Sequence, residues 1–155
     1  MEASESVQSS AMQHILVLCT GNICRSPLAE ALLRQRFPCK TIWSAGTDAL
    51  VGMPADSESL AVAALHGLDL SAHRAQQLMS WMCQKADLIL VMEQGQKANL
   101  EQQYPWVRGK VFRLGGWGSF DIADPYRLSR EAFEVAYAGI ARGVAEWEPR
   151  IQQLD

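Results

Sequence analysis

The chain has 155 residues, 48% of them hydrophobic and 20% charged, with a formal net charge of −3. That composition excludes wholesale disorder and suits one well-buried domain. With 14 basic against 17 acidic residues and no long basic run, binding to nucleic acid or a membrane surface has little support, so an anion site must be a local pocket.

Residues 1–13 begin Met1-Glu-Ala-Ser-Glu-Ser-Val-Gln-Ser-Ser10, too polar and acidic for a signal peptide, and read as a flexible leader before a domain over 14–155. No stretch approaches the roughly 20 apolar residues that span a bilayer. A first strand is expected over 14–19, a helix over 27–37 and a second strand over 40–45. A helix over 56–66 follows, with Gly67 as its stop, and then an irregular segment over 68–86 carrying short helical turns. The run Asp87-Leu-Ile-Leu-Val-Met92 is nearly all apolar, as in a central parallel strand covered on both faces. A helix over 94–103 and a strand over 110–114 come next, and Pro38 and Pro105 sit where the first and third helices end. A glycine-rich link over 115–128 precedes a last helix over 129–148, in which Phe133, Ala136, Tyr137, Ile140 and Val144 form one apolar stripe. The alternation predicts an α/β domain: a Rossmann-like four-stranded parallel sheet with helices on both faces and a phosphate-binding loop after strand 1. Ligands bind such sheets at the carboxyl ends of the strands, where Cys19 and Asp124 fall.

The loop reads Cys19-Thr-Gly-Asn-Ile-Cys-Arg-Ser26. A cysteine five residues before an arginine, between a strand and a helix N-terminus, suits a phosphoryl dianion: loop amides converge on its oxygens and Arg25 grips two of them. The same surroundings favour the thiolate, making Cys19 the candidate nucleophile. Thr20, Gly21, Asn22, Ile23 and Cys24 complete the cradle, with Gly21 and Asn22 tolerant of positive φ. Ser26 either caps the following helix or donates to the thiolate, and the two roles are compatible. Asp124 and Asp121 compete for the role of general acid. No His/Cys/Asp cluster has ligand spacing, so neither metal nor cofactor is expected. Cys39 and Cys83 read as packing residues, and His14 and His66 as surface or packing histidines. A nucleophilic Cys19 must stay reduced, which favours the cytoplasm.

The chain resembles the low-molecular-weight protein tyrosine phosphatases. The resemblance rests on Cys19–Ser26, on Trp43-Ser-Ala-Gly46, Ala72-His-Arg-Ala75 and Asp124-Pro125-Tyr126, and covers nearly everything from His14 onward. It implies hydrolysis of phosphotyrosine through a phosphocysteine, with Asp124 rather than Asp121 as the acid. It implies a buried network of Asn22, Ser44 and His73 that holds the loop, and Tyr126 as an aromatic pocket wall, core packing being its other reading. In the family, the cysteine matching Cys24 forms a reversible disulfide with the nucleophile; loop packing is the alternative here. Eukaryotic members carry an aromatic residue in the segment matching Thr47-Asp-Ala-Leu-Val51, whereas only aliphatics stand there now. That resembles the bacterial branch, with Leu50 as the candidate lining residue. Members of that branch often oppose bacterial tyrosine kinases controlling capsule and exopolysaccharide export, so the expected partner is a phosphotyrosine protein of that kind, met by a monomer. Two relatives compete. A thiol-dependent arsenate reductase needs two further closely spaced cysteines, but Cys83 stands alone. A protein-arginine phosphatase places threonine where this loop has Ile23.

Overall fold

The two central strands of this protein bury both faces, which is why they read as nearly unbroken apolar runs rather than alternating ones. In the computed structural model, which describes residues 12–154, β1 spans His14–Cys19, β2 Thr41–Gly46, β3 Leu88–Val91 and β4 Val111–Arg113. All pair in parallel, in the order β2-β1-β3-β4. The helices between them are α1 (Arg25–Arg36), α2 (Ser57–Leu65), α3 (Ser80–Lys85) and α4 (Gln94–Gln103), and α5 (Arg130–Gln153) follows β4. Single 3-10 turns lie at Pro105–Val107 and Gly116–Gly118.

Successive side chains along β1 sort onto opposite layers. Ile15 and Val17, with Leu88 and Leu90 of β3, pack against Leu28, Leu32 and Leu33 of α1 and Ile140, Val144 and Ile151 of α5. Leu16 and Leu18, with Ile89 and Val91, face Met82 and Cys83 of α3, Leu100 of α4 and Val107. The expected four-stranded parallel sheet with helices on both faces is the observed one.

Three expectations need correction. Met12 and Gln13 do not belong to a free leader: Met12 packs on the core, and Gln13 accepts from Thr41 N–H and donates to Asp87. Residues 1–11 of that expected leader lie outside the described residues. The first helix begins at Arg25 rather than at 27, which matters for the site. The last helix runs past Pro149 to Gln153 instead of stopping at 148. Proline withdraws one N–H from the ladder, but Pro149 and Ala145, whose carbonyl loses its partner, both face solvent, while buried Ile151 extends the apolar stripe.

Ile140 has no exposed surface. Ile140→Ala should therefore lower the unfolding free energy by about 2–5 kcal/mol, read from urea denaturation. Val135→Ala, on the solvent side of the same helix, should change it by no more than about 0.5 kcal/mol.

Candidate active site

The loop between β1 and α1 is held by its carbonyls. Thr47 N–H donates to Cys19 O (3.0 Å), Asp48 N–H to Thr20 O (3.0 Å), Leu50 N–H to Gly21 O (3.1 Å) and Asp56 N–H to Ile23 O (2.9 Å). His73 Nε2 lies 2.6 Å from Asn22 O and must carry the proton there, since a carbonyl only accepts. Ser59 Oγ donates to Cys24 O at 3.2 Å. Every carbonyl from Cys19 to Cys24 is thus drawn outward. In a trans peptide the next N–H points the opposite way, so the amides turn into the loop, where an anion sits. Gly46 leaves room for this: a Cβ there would stand 2.4 Å from Thr20 O.

Inside the loop, Cys19 Sγ lies 2.9 Å from Ser26 Oγ and is almost fully buried. Asn22 has φ of 60° and donates from Nδ2 to Ser26 Oγ (2.8 Å) and Ser44 Oγ (3.0 Å) while its Oδ1 accepts from Gln76 N–H (2.9 Å). The expected trio of Asn22, Ser44 and His73 is brought together behind the loop. Gly21 is not among the positive-φ residues. Its missing side chain instead leaves cavity space, for a Cβ would come within 3.8 Å of Ile23 and Leu50. Ser26 is not the helix cap either: α1 starts one residue before it, with Cys24 at the cap position and no side-chain capping bond.

Arg25 is 1% exposed. Its Nη1 donates to Ile122 O at 2.7 Å and lies 3.4 Å from Glu93 Oε2, and its Nη2 lies 3.8 Å from Asp124 Oδ2. Nε is buried without a hydrogen-bond partner among the described residues. A guanidinium anchored at Nη1 keeps its Nε edge for a bidentate grip on an oxyanion. Asp124 Oδ1 accepts from Tyr126 N–H at 3.0 Å, which fixes the carboxyl and leaves Oδ2 toward the pocket. Asp121 is engaged elsewhere, accepting from Arg113 (3.0 Å) and Gln94 N–H (3.1 Å).

A cavity of about 170 Å³ is lined by Cys19, Thr20, Gly21, Ile23, Cys24, Arg25, Asp48, Leu50, Asp124 and Tyr126. Leu50 and Tyr126 are partly exposed walls, so the core-packing reading of Tyr126 fails. Desolvation is the main force pushing the Cys24 thiol far above its ordinary range, helped by Asp56, Asp124 and Cys19 and opposed by Arg25. Cys83, buried under the sheet, is pushed up to about 11 mainly by desolvation. Sequence reasoning missed Glu93, Ser59 and the main-chain donors of 47–56. Glu93 caps α4 with Gln96 in a capping box, and Gln96 Nε2 also reaches Thr20 Oγ1 at 3.3 Å. The E-x-x-Q spacing was the one available signal. Among the described residues no group of three His, Cys, Asp or Glu is placed to hold a metal ion, and no helix is long and apolar enough to cross a membrane.

The family model for low molecular weight phosphotyrosine protein phosphatase matches residues 14–155. A probable low molecular weight protein-tyrosine-phosphatase, EpsP of Ralstonia nicotianae, is 54% identical over 140 residues, 90% of this chain and 97% of that protein. Vibrio vulnificus Wzb, solved in complex with benzylphosphonate, superposes with a TM-score of 0.87 at 45% identity, covering 90% of this chain and 99% of its own. The YwlE arginine phosphatase from Geobacillus stearothermophilus gives a TM-score of 0.84 at 31% identity over 91% and 94% of the two chains. Since the fold serves phosphatases named for different substrates, the choice between substrates falls to the pocket side chains.

The thiols should sort by environment. Iodoacetamide at neutral pH should label Cys19 and the exposed Cys39, with inorganic phosphate protecting Cys19 alone. Cys24 should resist, and Cys83 should become reactive only as the pH approaches its value of about 11. Peptide mass spectrometry reads the result, and fast labelling of Cys24 at pH 7 would contradict it.

Proposed function

The chain belongs to the low molecular weight phosphotyrosine protein phosphatases, a cysteine-dependent family of hydrolases, and from that premise we propose how its own residues divide the chemistry. Cys19 is the nucleophile, Arg25 the phosphate-binding cation and Asp124 the general acid and base. The observation that carries this is the placement of the Cys19 thiol, the Arg25 guanidinium and the Asp124 carboxyl around a single cavity, beneath a loop with its amides turned inward.

Phosphotyrosine enters with its ring between Leu50 and Tyr126 and its dianion against the loop amides and Arg25. The Cys19 thiolate attacks phosphorus; the S–P bond forms as the P–O bond to the ring breaks. Asp124 gives its proton to the departing phenolate oxygen. The equatorial oxygens, where charge is spread in the transition state, stay on the amides and on the Nε edge of Arg25. In the second step the Asp124 carboxylate takes a proton from water, water oxygen bonds phosphorus, and the S–P bond breaks to give inorganic phosphate. The Ser26 hydroxyl at 2.9 Å stabilises the thiolate released. Ile23, apolar, buried and part of the cavity lining, supports a flat phenyl ring over a phosphoguanidinium, whose N–H groups would find no acceptor in that side chain.

The protein substrate we infer is a phosphotyrosine-bearing one, such as a bacterial tyrosine autokinase of capsule or exopolysaccharide export. The cytoplasm is the compartment that suits a reduced nucleophile, and all four cysteines are free thiols. For Cys24 we infer an oxidative role beside its packing: a neighbouring sulfur can trap an oxidised Cys19 as a disulfide that dithiol reverses.

Asp124→Ala should slow phosphotyrosine hydrolysis by roughly 10² to 10⁴ and slow an activated nitrophenyl phosphate less, because that leaving group departs without a proton. Asp121→Asn should stay near wild type; if it is the crippled variant in steady-state assays, the acid has been misassigned. Cys19→Ser should lose turnover while still binding vanadate, and steady turnover in that variant would rule out the phosphocysteine route.

A further inference from the structure

Behind the phosphate loop lies a second, larger cavity of about 560 Å³, to which Glu30, Arg34, Ser44, His73 and Gln76 contribute. Glu30 is mostly buried although it is a carboxylate, and no step of the reaction uses it. Its two oxygens have separate tasks. Oε2 pairs with Arg34 Nη2 at 2.6 Å, and Arg34 is itself tied to the edge strand through Ile42 O (3.1 and 2.8 Å). Oε1 accepts a short hydrogen bond from Ser44 Oγ.

That second contact fixes the far end of a hydrogen-bond network that reaches the nucleophile. A carboxylate only accepts, so the Ser44 hydroxyl must spend its single proton on Glu30 and accept from Asn22. The Asn22 amide cannot flip, because its Oδ1 is held by Gln76 N–H. Its Nδ2 therefore donates to both serines, Ser44 and Ser26. Ser26 Oγ, already accepting, has its own proton left for Cys19 Sγ. Donation therefore diverges from Asn22: one N–H goes to Ser26 and through it to Cys19, the other to Ser44 and through it to Glu30, so Glu30 anchors the far arm that holds the Asn22 amide in place. Arg34 balances the charge of Glu30, so the carboxylate acts as an obligatory acceptor rather than as a field opposing the thiolate.

We propose that Glu30 is a positioning residue for the Cys19 thiolate, acting through Ser44, Asn22 and Ser26. The proposal rests on Cys19 being the nucleophile, but its test reads the sulfur directly. Iodoacetamide labelling of Cys19, located by peptide mass, is followed against pH together with kcat and the inhibition constant of inorganic phosphate. In Glu30→Ala the pH of half-maximal labelling should move upward and kcat should fall about tenfold, the worth of one charge-assisted hydrogen bond. Phosphate inhibition, which depends on the amides and Arg25, should change by less than about twofold on the same reasoning. Glu30→Gln keeps the shape but offers one oxygen to two donors, Ser44 and Arg34, and should fall between. In a Ser44→Ala background the Glu30→Ala substitution should have little further effect, since the link is already cut.

An unchanged labelling profile in both Glu30 variants would overturn the proposal. So would a loss of the same size in the Ser44→Ala background, which would mark a role in packing alone. Should Glu30→Ala fail to fold, the Glu30→Gln comparison with and without Ser44 still decides it. Failure of the nucleophile assignment shows separately, as turnover by Cys19→Ser.

Discussion

Six consecutive carbonyls, each drawn outward by a donor from elsewhere in the chain, are the constraint on which the site depends. The donors come from the segment after β2, from the start of α2 and from His73. They orient six peptide dipoles before any phosphate arrives, so the reorganisation that water would need at the moment of reaction is completed during folding. The left-handed turn at Asn22 belongs to the same constraint. A non-glycine residue there is costly alone and persists because its side chain and its carbonyl are both bound.

The sheet order explains why a charge can be buried at this spot. β1 lies between β2 and β3, so the loop leaving β1 sits beside residues leaving β3, and Glu93 comes within ion-pair reach of Arg25. The chain leaving β4 then brings Ile122 O to the same amino group and Asp124 to the other. A guanidinium this deep is expensive unless its donors are met. Two acceptors on one amino group and a carboxylate near the other hold it, and the Nε edge stays aimed at the ligand.

The parts of this protein legible in the sequence were those whose chemistry is local. Cys19 and Arg25 share one loop, Asp124 is followed by a proline that marks its turn, and the apolar runs reported the two-sided burial of β1 and β3. Less local features were misread or missed. Main-chain donors carry no residue signature, so nothing in Thr47, Asp48, Leu50 or Asp56 announced that they hold the loop. Gly21 and Asn22 look equally suited to positive φ, yet Asn22 alone adopts it, because its amide has three partners to gain. Ser26-Pro27 resembles a helix start, but tertiary bonds pull the helix back to Arg25 and free the serine for the thiol. The last helix outruns its expected end at 148 because Pro149 and Ala145 lie on its exposed side, which the sequence does not reveal.

Because four of the six loop carbonyls are held by main-chain N–H groups, the residues that supply them are not bound to any particular side chain. Thr47, Asp48 and Leu50 can change identity while the loop keeps its shape, and Asp48 and Leu50 also form part of the cavity wall. Recognition can therefore diverge among descendants of this scaffold without eroding the catalytic geometry, and the aliphatic character of this wall is one setting among many. Proline is the exception: at 47, 48, 50 or 56 it would delete a donor and release the carbonyl opposite. The boundary between what selection may vary and what it must keep thus runs through single residues, with the side chain on one side and the amide on the other.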